Sequence, residues 1–166
     1  MSYQIPVKVE SSGNIWISGL TDGYRWGTTK DRPAVGYTFI TNTENQAGGT
    51  FGGYRSLGWT RQERQLMMDG MHDIESVSGL RFIDRGDNVD DQVEIWFYTL
   101  DDRDAKGTFG FAYTPGSDPD EGLVAINRSM YEQADGKLKG SIARGSFYGI
   151  TFLHELCHSV GLKHPH

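Results

Sequence analysis

At 166 residues the chain has the length of one domain, and 16 Lys and Arg against 22 Asp and Glu leave a net charge of −6. That balance offers no overall basic surface to nucleic acid or to an anionic membrane. Hydrophobic residues make up 37% and aromatics 12%, which excludes disorder throughout; the single cysteine, Cys157, excludes an internal disulfide.

Met1 to Glu10 lacks the basic start and apolar run of a secretory signal. No stretch approaches the ~18 consecutive apolar residues of a membrane span. Residues 1–14 alternate weakly and read as an N-terminal arm, either lying on the body or frayed, ahead of one domain over residues 15–166. Ala34 to Ile40 is rich in β-branched and aromatic residues and runs into the polar cluster Thr41 to Gln46, as a strand runs into a loop. The glycine-rich stretch Ala47 to Gly58 reads as a connection. Thr60 stands at an N-cap position with Glu63 three residues on, and Leu66, Met67, Ile74 and Val77 continue at near-helical spacing to a stop around Gly79. Met67, Met68 and Met71 on this helix read as core filling, and His72 as a surface histidine.

Leu80 to Asp84 and Val93 to Tyr98 read as two further strands, so a helix packs on a mixed sheet. The carboxylates of Asp87 to Asp91 and of Asp101, Asp102 and Asp104 could hold calcium. Neither cluster has EF-hand spacing, so calcium is without support there, and solvated turns are the commoner explanation of such clusters. Thr108 to Thr114 is a short aromatic strand closed by Pro115-Gly116, and Leu123 to Asn127 is the strand beside it. Asn127-Arg128-Ser129 fits a glycosylation triplet, a pattern common by chance.

The chemistry is concentrated in the last stretch, where an apolar run enters His154-Glu155-Leu156-Cys157-His158-Ser159-Val160-Gly161-Leu162-Lys163-His164, the pattern H-E-x-x-H-x-x-G-x-x-H. On a helix, residues four apart project from one face, so His154 and His158 can reach one zinc ion about 2 Å from each. Gly161 can take a left-handed conformation and turn the chain back, bringing His164 to the same ion. Three imidazoles leave a coordination position open, which is the arrangement of a catalytic site. Glu155 need not ligate, and its carboxylate can act as general base on a zinc-activated water. Five fixed residues in this register exceed what chance alignment of core or surface histidines produces.

This pattern is the zinc signature of the metzincin peptidases, and the sequence from Thr151 to Pro165 resembles the serralysin branch of bacterial secreted endopeptidases. Ser18-Gly19 and Tyr24-Arg25-Trp26-Gly27 resemble the segment that opens the serralysin catalytic domain. Trp59 to Val77 resembles its first long helix, and Phe109 to Pro115 with Leu123 to Asn127 its edge strand and neighbour. The resemblance implies an α/β (α+β) fold: a twisted, mostly parallel five-stranded sheet with one antiparallel edge strand, stacked on two main helices, the zinc-binding active-site helix being the C-terminal one. It implies a secreted zinc metalloendopeptidase with a protein or peptide substrate, and places Phe111, Ala112 and Tyr113 along the cleft as substrate-binding residues.

The sequence also departs from that family. No methionine follows Met130 and no G-G-x-G-x-D repeat occurs in these 166 residues, so neither the Met-turn part nor the β-roll is expected among them. Cys157 stands where the family has a small or aliphatic residue and reads as a buried small apolar group. With the cleft uncovered, the expectation is zinc binding with weak turnover, an apolar floor around Phe152 and Val160 that favours self-association, and His166 as the nearest internal group for the open metal position. Two rival readings follow, a non-catalytic zinc-binding module that captures a peptide or partner chain, and an incomplete piece of a larger peptidase.

Overall fold

A computed structural model describes residues 5–28, 34–41, 54–86, 93–117 and 120–164. Pro6–Lys8 (β1) and Tyr24–Trp26 (β2) pair antiparallel in a two-stranded sheet, with the short helix Ile15–Leu20 (α1) between them. Part of the N-terminal arm therefore lies on the body as a strand.

The main sheet is built from Val35–Phe39 (β3), Phe82–Asp84 (β4), Ile95–Leu100 (β5), Gly110–Ala112 (β6) and Leu123–Asn127 (β7), in the spatial order β4-β3-β5-β7-β6. All neighbours are parallel except β6, which runs antiparallel to β7 at one edge. Arg61–Val77 (α2) follows β3, Asp102–Ala105 (α3) follows β5, and Arg128–Tyr131 (α4) and Phe147–Ser159 (α5) follow β7. The described residues thus form a mixed α/β fold with a five-stranded mixed sheet and five helices. Every residue of β3, β5 and β7 is buried. This is why those segments read as unbroken β-branched and aromatic runs, since a strand covered on both faces has no polar side to alternate with.

On one face of the sheet Tyr37, Phe39, Phe97, Val124 and Ile126 pack against Met67 and Met71 of α2 and Phe152 and Leu156 of α5. On the other, Trp96, Tyr98, Leu100 and Ala125 form a second core layer with Tyr54, Phe111 and Tyr113 at its margin. Met67 and Met71 are core filling as expected, Met68 is partly exposed, and His72 is an exposed surface residue.

The capping box of α2 forms as its residues predict: Thr60 Oγ1 accepts from the Glu63 amide at 3.3 Å, and Glu63 Oε2 accepts from the Thr60 amide at 2.6 Å. Glu63 does more than cap. Its carboxylate is fully buried and accepts Arg128 Nε at 2.9 Å, Arg128 Nη2 at 2.6 Å and the Tyr131 hydroxyl at 2.6 Å. Burial alone would raise its pKa, but the bonds from Arg128, Tyr131 and the Thr60 amide hold it below the usual carboxylate range. The start of α2 is thereby locked to α4.

The end of α2 falls where the sequence reading puts it: the helix runs to Val77, with Ser78 extended and its hydroxyl donating to the Ile74 carbonyl at 2.6 Å. The strand expected over Thr108 to Thr114 is shorter, Gly110–Ala112, with bonds to β7 continuing at Phe109 and Tyr113, between a left-handed turn at Lys106 and Gly107 and the turn at Pro115-Gly116.

Glu63→Ala should cost ~3–5 kcal/mol, the usual penalty for leaving a buried charge without its partner, because Arg128 would remain largely buried. Urea unfolding of the two proteins measures it; a loss under ~1 kcal/mol would mean that the pair does not hold α2 to α4.

Candidate metal centre

Helix α5 is placed by its apolar side and ended by its polar one. Ser146 caps its start, accepting from the Gly149 amide at 3.0 Å, while Phe152 and Leu156 anchor it in the core. Its end is a Schellman closure: the Gly161 amide donates to the His158 carbonyl at 2.9 Å and the Leu162 amide to the Cys157 carbonyl at 3.1 Å. That closure requires the φ of +100° seen at Gly161, and a Cβ there would also run into the Tyr24 carbonyl oxygen. The chain therefore turns back under the helix, as the motif spacing predicts.

The turn brings three rings together. His154 and His158 Nε2 are 3.1 Å apart, His158 and His164 Nε2 3.2 Å, and His164 and His154 Nε2 2.9 Å. Among the described residues this is the one grouping of His, Cys, Asp and Glu close enough to hold a metal ion. A triangle of imidazole nitrogens cannot satisfy itself by hydrogen bonds, because each ring nitrogen carries either one proton or one lone pair. One proton cannot point at two neighbours, and two lone pairs that face each other repel. His158 Nδ1 lies 2.7 Å from the Leu162 carbonyl oxygen; a carbonyl only accepts, so Nδ1 carries the proton and Nε2 of the neutral ring presents its lone pair to the centre. A cation at the centre resolves the conflict. Tetrahedral zinc with Zn–N of about 2.0–2.1 Å spaces its nitrogens about 3.3 Å apart, close to the separations observed. Burial, and then the neighbouring rings of His158 and His164, lowers the pKa of His154, which favours the neutral form that a metal needs.

Glu155, next to His154 in sequence, is not among the converging groups. It is buried on the sheet side of α5, and burial pushes its carboxyl up to about 7. The space it occupies exists because residue 110 has no side chain: a Cβ at Gly110 would lie 2.9 Å from Glu155 Cγ and 3.1 Å from Oε1. Edge strand β6 thus passes directly over the carboxylate. Cys157, half-buried with its thiol pKa raised by burial, is not among the converging groups.

The three residues assigned to substrate are not equivalent. The Tyr113 amide donates to the Leu123 carbonyl at 2.9 Å, and the Phe109 carbonyl accepts from the Asn127 amide at 3.0 Å. With Phe111 opposite Ala125 in the same register, the odd-numbered residues spend their backbone groups on β7. Antiparallel alternation then turns the N–H and C=O of Gly110 and Ala112 toward the open edge. The rings of Phe111 and Tyr113 pack at 6.1 Å from each other, and Phe111 at 5.6 Å from Tyr54, on the face away from α5. Ala112 packs on the α5 face.

One further expectation is corrected. Phe152 is 1% exposed because it faces the sheet, so it is no open floor; the exposed apolar row on α5 is instead Phe147, Ile150 and Leu153. Asp101 caps α3, accepting from the Asp104 amide at 3.0 Å, and Asp102 accepts from Asn127 Nδ2 at 3.0 Å, so these carboxylates act as caps and ties. Asp87 to Asp91 and His166 lie outside the described residues. Sequence reasoning missed Gly110 and the Leu162 carbonyl. A glycine inside an aromatic strand is a recognisable sign of close approach, whereas no residue type signals which carbonyl will orient a histidine. No protein-family model matches the chain, and no curated protein is similar enough to it to count as a relative.

The buried carboxyl gives a pH test on the metal-free protein. Folded Glu155 keeps its proton up to about 7, against an ordinary value of 4.5, so the native state binds more protons than the unfolded chain in that window. Relative to Glu155→Gln, the parent should lose stability as pH rises from about 4.5 to about 7, by up to ~3 kcal/mol. Denaturant unfolding of both proteins across that range checks it; a pH-independent difference would contradict the buried environment.

Proposed function

We propose that this chain is a zinc-dependent metalloendopeptidase domain of metzincin type, serralysin-like in its motif, that hydrolyses peptide bonds in an extended protein or peptide substrate. The observation that carries the reading is the convergence of His154, His158 and His164 Nε2 within 3.2 Å of one another, with Glu155, next to His154 in sequence, buried against the edge strand. The histidines are the ligands, and the zinc, when bound, supplies a Lewis acid that acidifies water and polarises the scissile carbonyl. Glu155 takes the proton of the attacking water and returns it to the leaving amine. Ala112, with Gly110, offers outward backbone groups along which a substrate strand can lie. In this reading α5 is the active-site helix and the sheet its metzincin-like support.

One observation favours a second reading. The exposed row Phe147, Ile150 and Leu153 on the same helix as two of the histidines suits a zinc-holding module that captures a partner chain without cleaving it. Hydrolysis separates the two.

The test is cleavage of a generic unfolded protein by zinc-loaded chain, with and without chelator. Glu155→Gln should keep its zinc while the rate falls ~10²–10⁴-fold, the usual contribution of a general base. Equal rates in parent and variant would remove Glu155 from the mechanism, and zinc binding without hydrolysis in the parent would favour the capture module.

Ala112→Pro probes the edge strand. Because the Ala112 N–H points away from β7, proline there deletes no sheet bond; KM for an extended peptide should rise several-fold with zinc content unchanged. An unaltered KM in the folded variant would take β6 out of the binding site.

A further inference from the structure

The residues that hold the metal-binding turn in place are not on the helix. Leu20 to Tyr24, from the last residue of α1 to the first of β2, run antiparallel to the turn after α5, with Thr21 bridged to Leu162. The Asp22 amide donates to the Gly161 carbonyl at 2.9 Å, and the Lys163 amide donates to the Leu20 carbonyl at 2.8 Å. The two bonds flank Leu162, whose carbonyl fixes the tautomer of His158, and the second lies one residue before His164. One short segment therefore grips both the carbonyl that aims the second histidine and the backbone that carries the third.

That segment is itself braced on three sides. The Val9 amide donates to the Gly23 carbonyl at 2.7 Å, continuing the pairing of β1 with β2. Trp26 Nε1 donates to the Ser159 carbonyl at 2.8 Å, at the end of α5, and its ring is buried in the core. Asp22 Oδ2 accepts from Thr114 Oγ1 at 2.6 Å, and the Tyr24 ring packs against Gly116, both on the chain leaving β6. A free helix exit turn would sample many conformations and lose entropy on each encounter with an ion. A turn paired to a braced segment has already lost that entropy on folding.

We propose that Leu20–Tyr24 is a metal-positioning clasp: by pairing with Gly161–Lys163 it presets the orientation of His158 and the reach of His164, and so sets the affinity of the three-histidine site for zinc. The inference rests on the reading of those histidines as a zinc site. The clasp residues touch neither ion nor substrate and act only through the turn. Coupling of this kind is reciprocal: if the clasp tightens zinc binding, zinc must tighten the clasp.

Asp22→Pro removes the donor to Gly161, and the preceding residue, Thr21, is already in the extended pairing that a following proline requires. The zinc Kd, measured by competition with a chromophoric chelator at a temperature where both proteins are folded, should rise ~10–100-fold, the range for groups that support metal ligands. A purely structural role would lower the thermal midpoint of the metal-free protein and leave the Kd of the folded form unchanged. A second measurement needs no variant. In the parent, adding zinc should slow hydrogen exchange at the Asp22 and Lys163 amides by a larger factor than at the Val35 and Ile40 amides of the sheet, which bond to Arg81 and Phe97 carbonyls. A variant Kd equal to that of the parent, or no gain in protection at Asp22 and Lys163, overturns the clasp and leaves the zinc reading standing. A parent that takes up no zinc overturns the zinc reading itself, and the clasp with it.

Discussion

Three imidazole nitrogens held about 3 Å apart, with at least one lone pair fixed toward their centre, form an arrangement that uncharged rings cannot satisfy among themselves. The rest of the structure can be understood as what positions these three rings about one centre. Helix α5 fixes His154 and His158 one turn apart, and its Schellman closure at Gly161 delivers His164. Packing elsewhere supplies the folding energy that positions the helix and its exit turn.

The sheet supplies that energy and also sets the neighbourhood of the site. Phe152 and Leu156 bind α5 to the apolar face formed by β3, β5 and β7. This presses Glu155 against the edge strand, where only a glycine at position 110 leaves room. The same packing strips water from the carboxyl and raises its pKa. On the far side of the sheet, Phe111 and Tyr113 anchor the edge strand by their rings. Pairing of the odd-numbered residues' backbone groups with β7 is what leaves those of the even-numbered ones facing the open edge.

Much of this was legible in the sequence where one residue type has one physical use. The i, i+4 histidines, the glycine that must turn left-handed and the Thr60/Glu63 capping box all found their expected places, because spacing and dihedral preference act locally. The length of β6 was not legible: a left-handed turn at Lys106 limits it, and periodicity does not mark such a turn. The burial of Phe152 is not legible either, because a helix pattern alone does not say which apolar row meets the sheet; the exposed row is Phe147, Ile150 and Leu153. The pairing of Leu20–Tyr24 with the turn after α5 joins segments some 140 residues apart, and no local pattern encodes such a contact.

The central claim is that the three histidines form one metal site, and the most direct measurement is metal analysis of purified chain equilibrated with zinc and then dialysed. One zinc per chain in the parent, with a zinc edge spectrum showing nitrogen ligands at about 2.0–2.1 Å and occupancy lost in His164→Ala, is the predicted result. Full occupancy in His164→Ala, or no zinc retained by the parent, would contradict it.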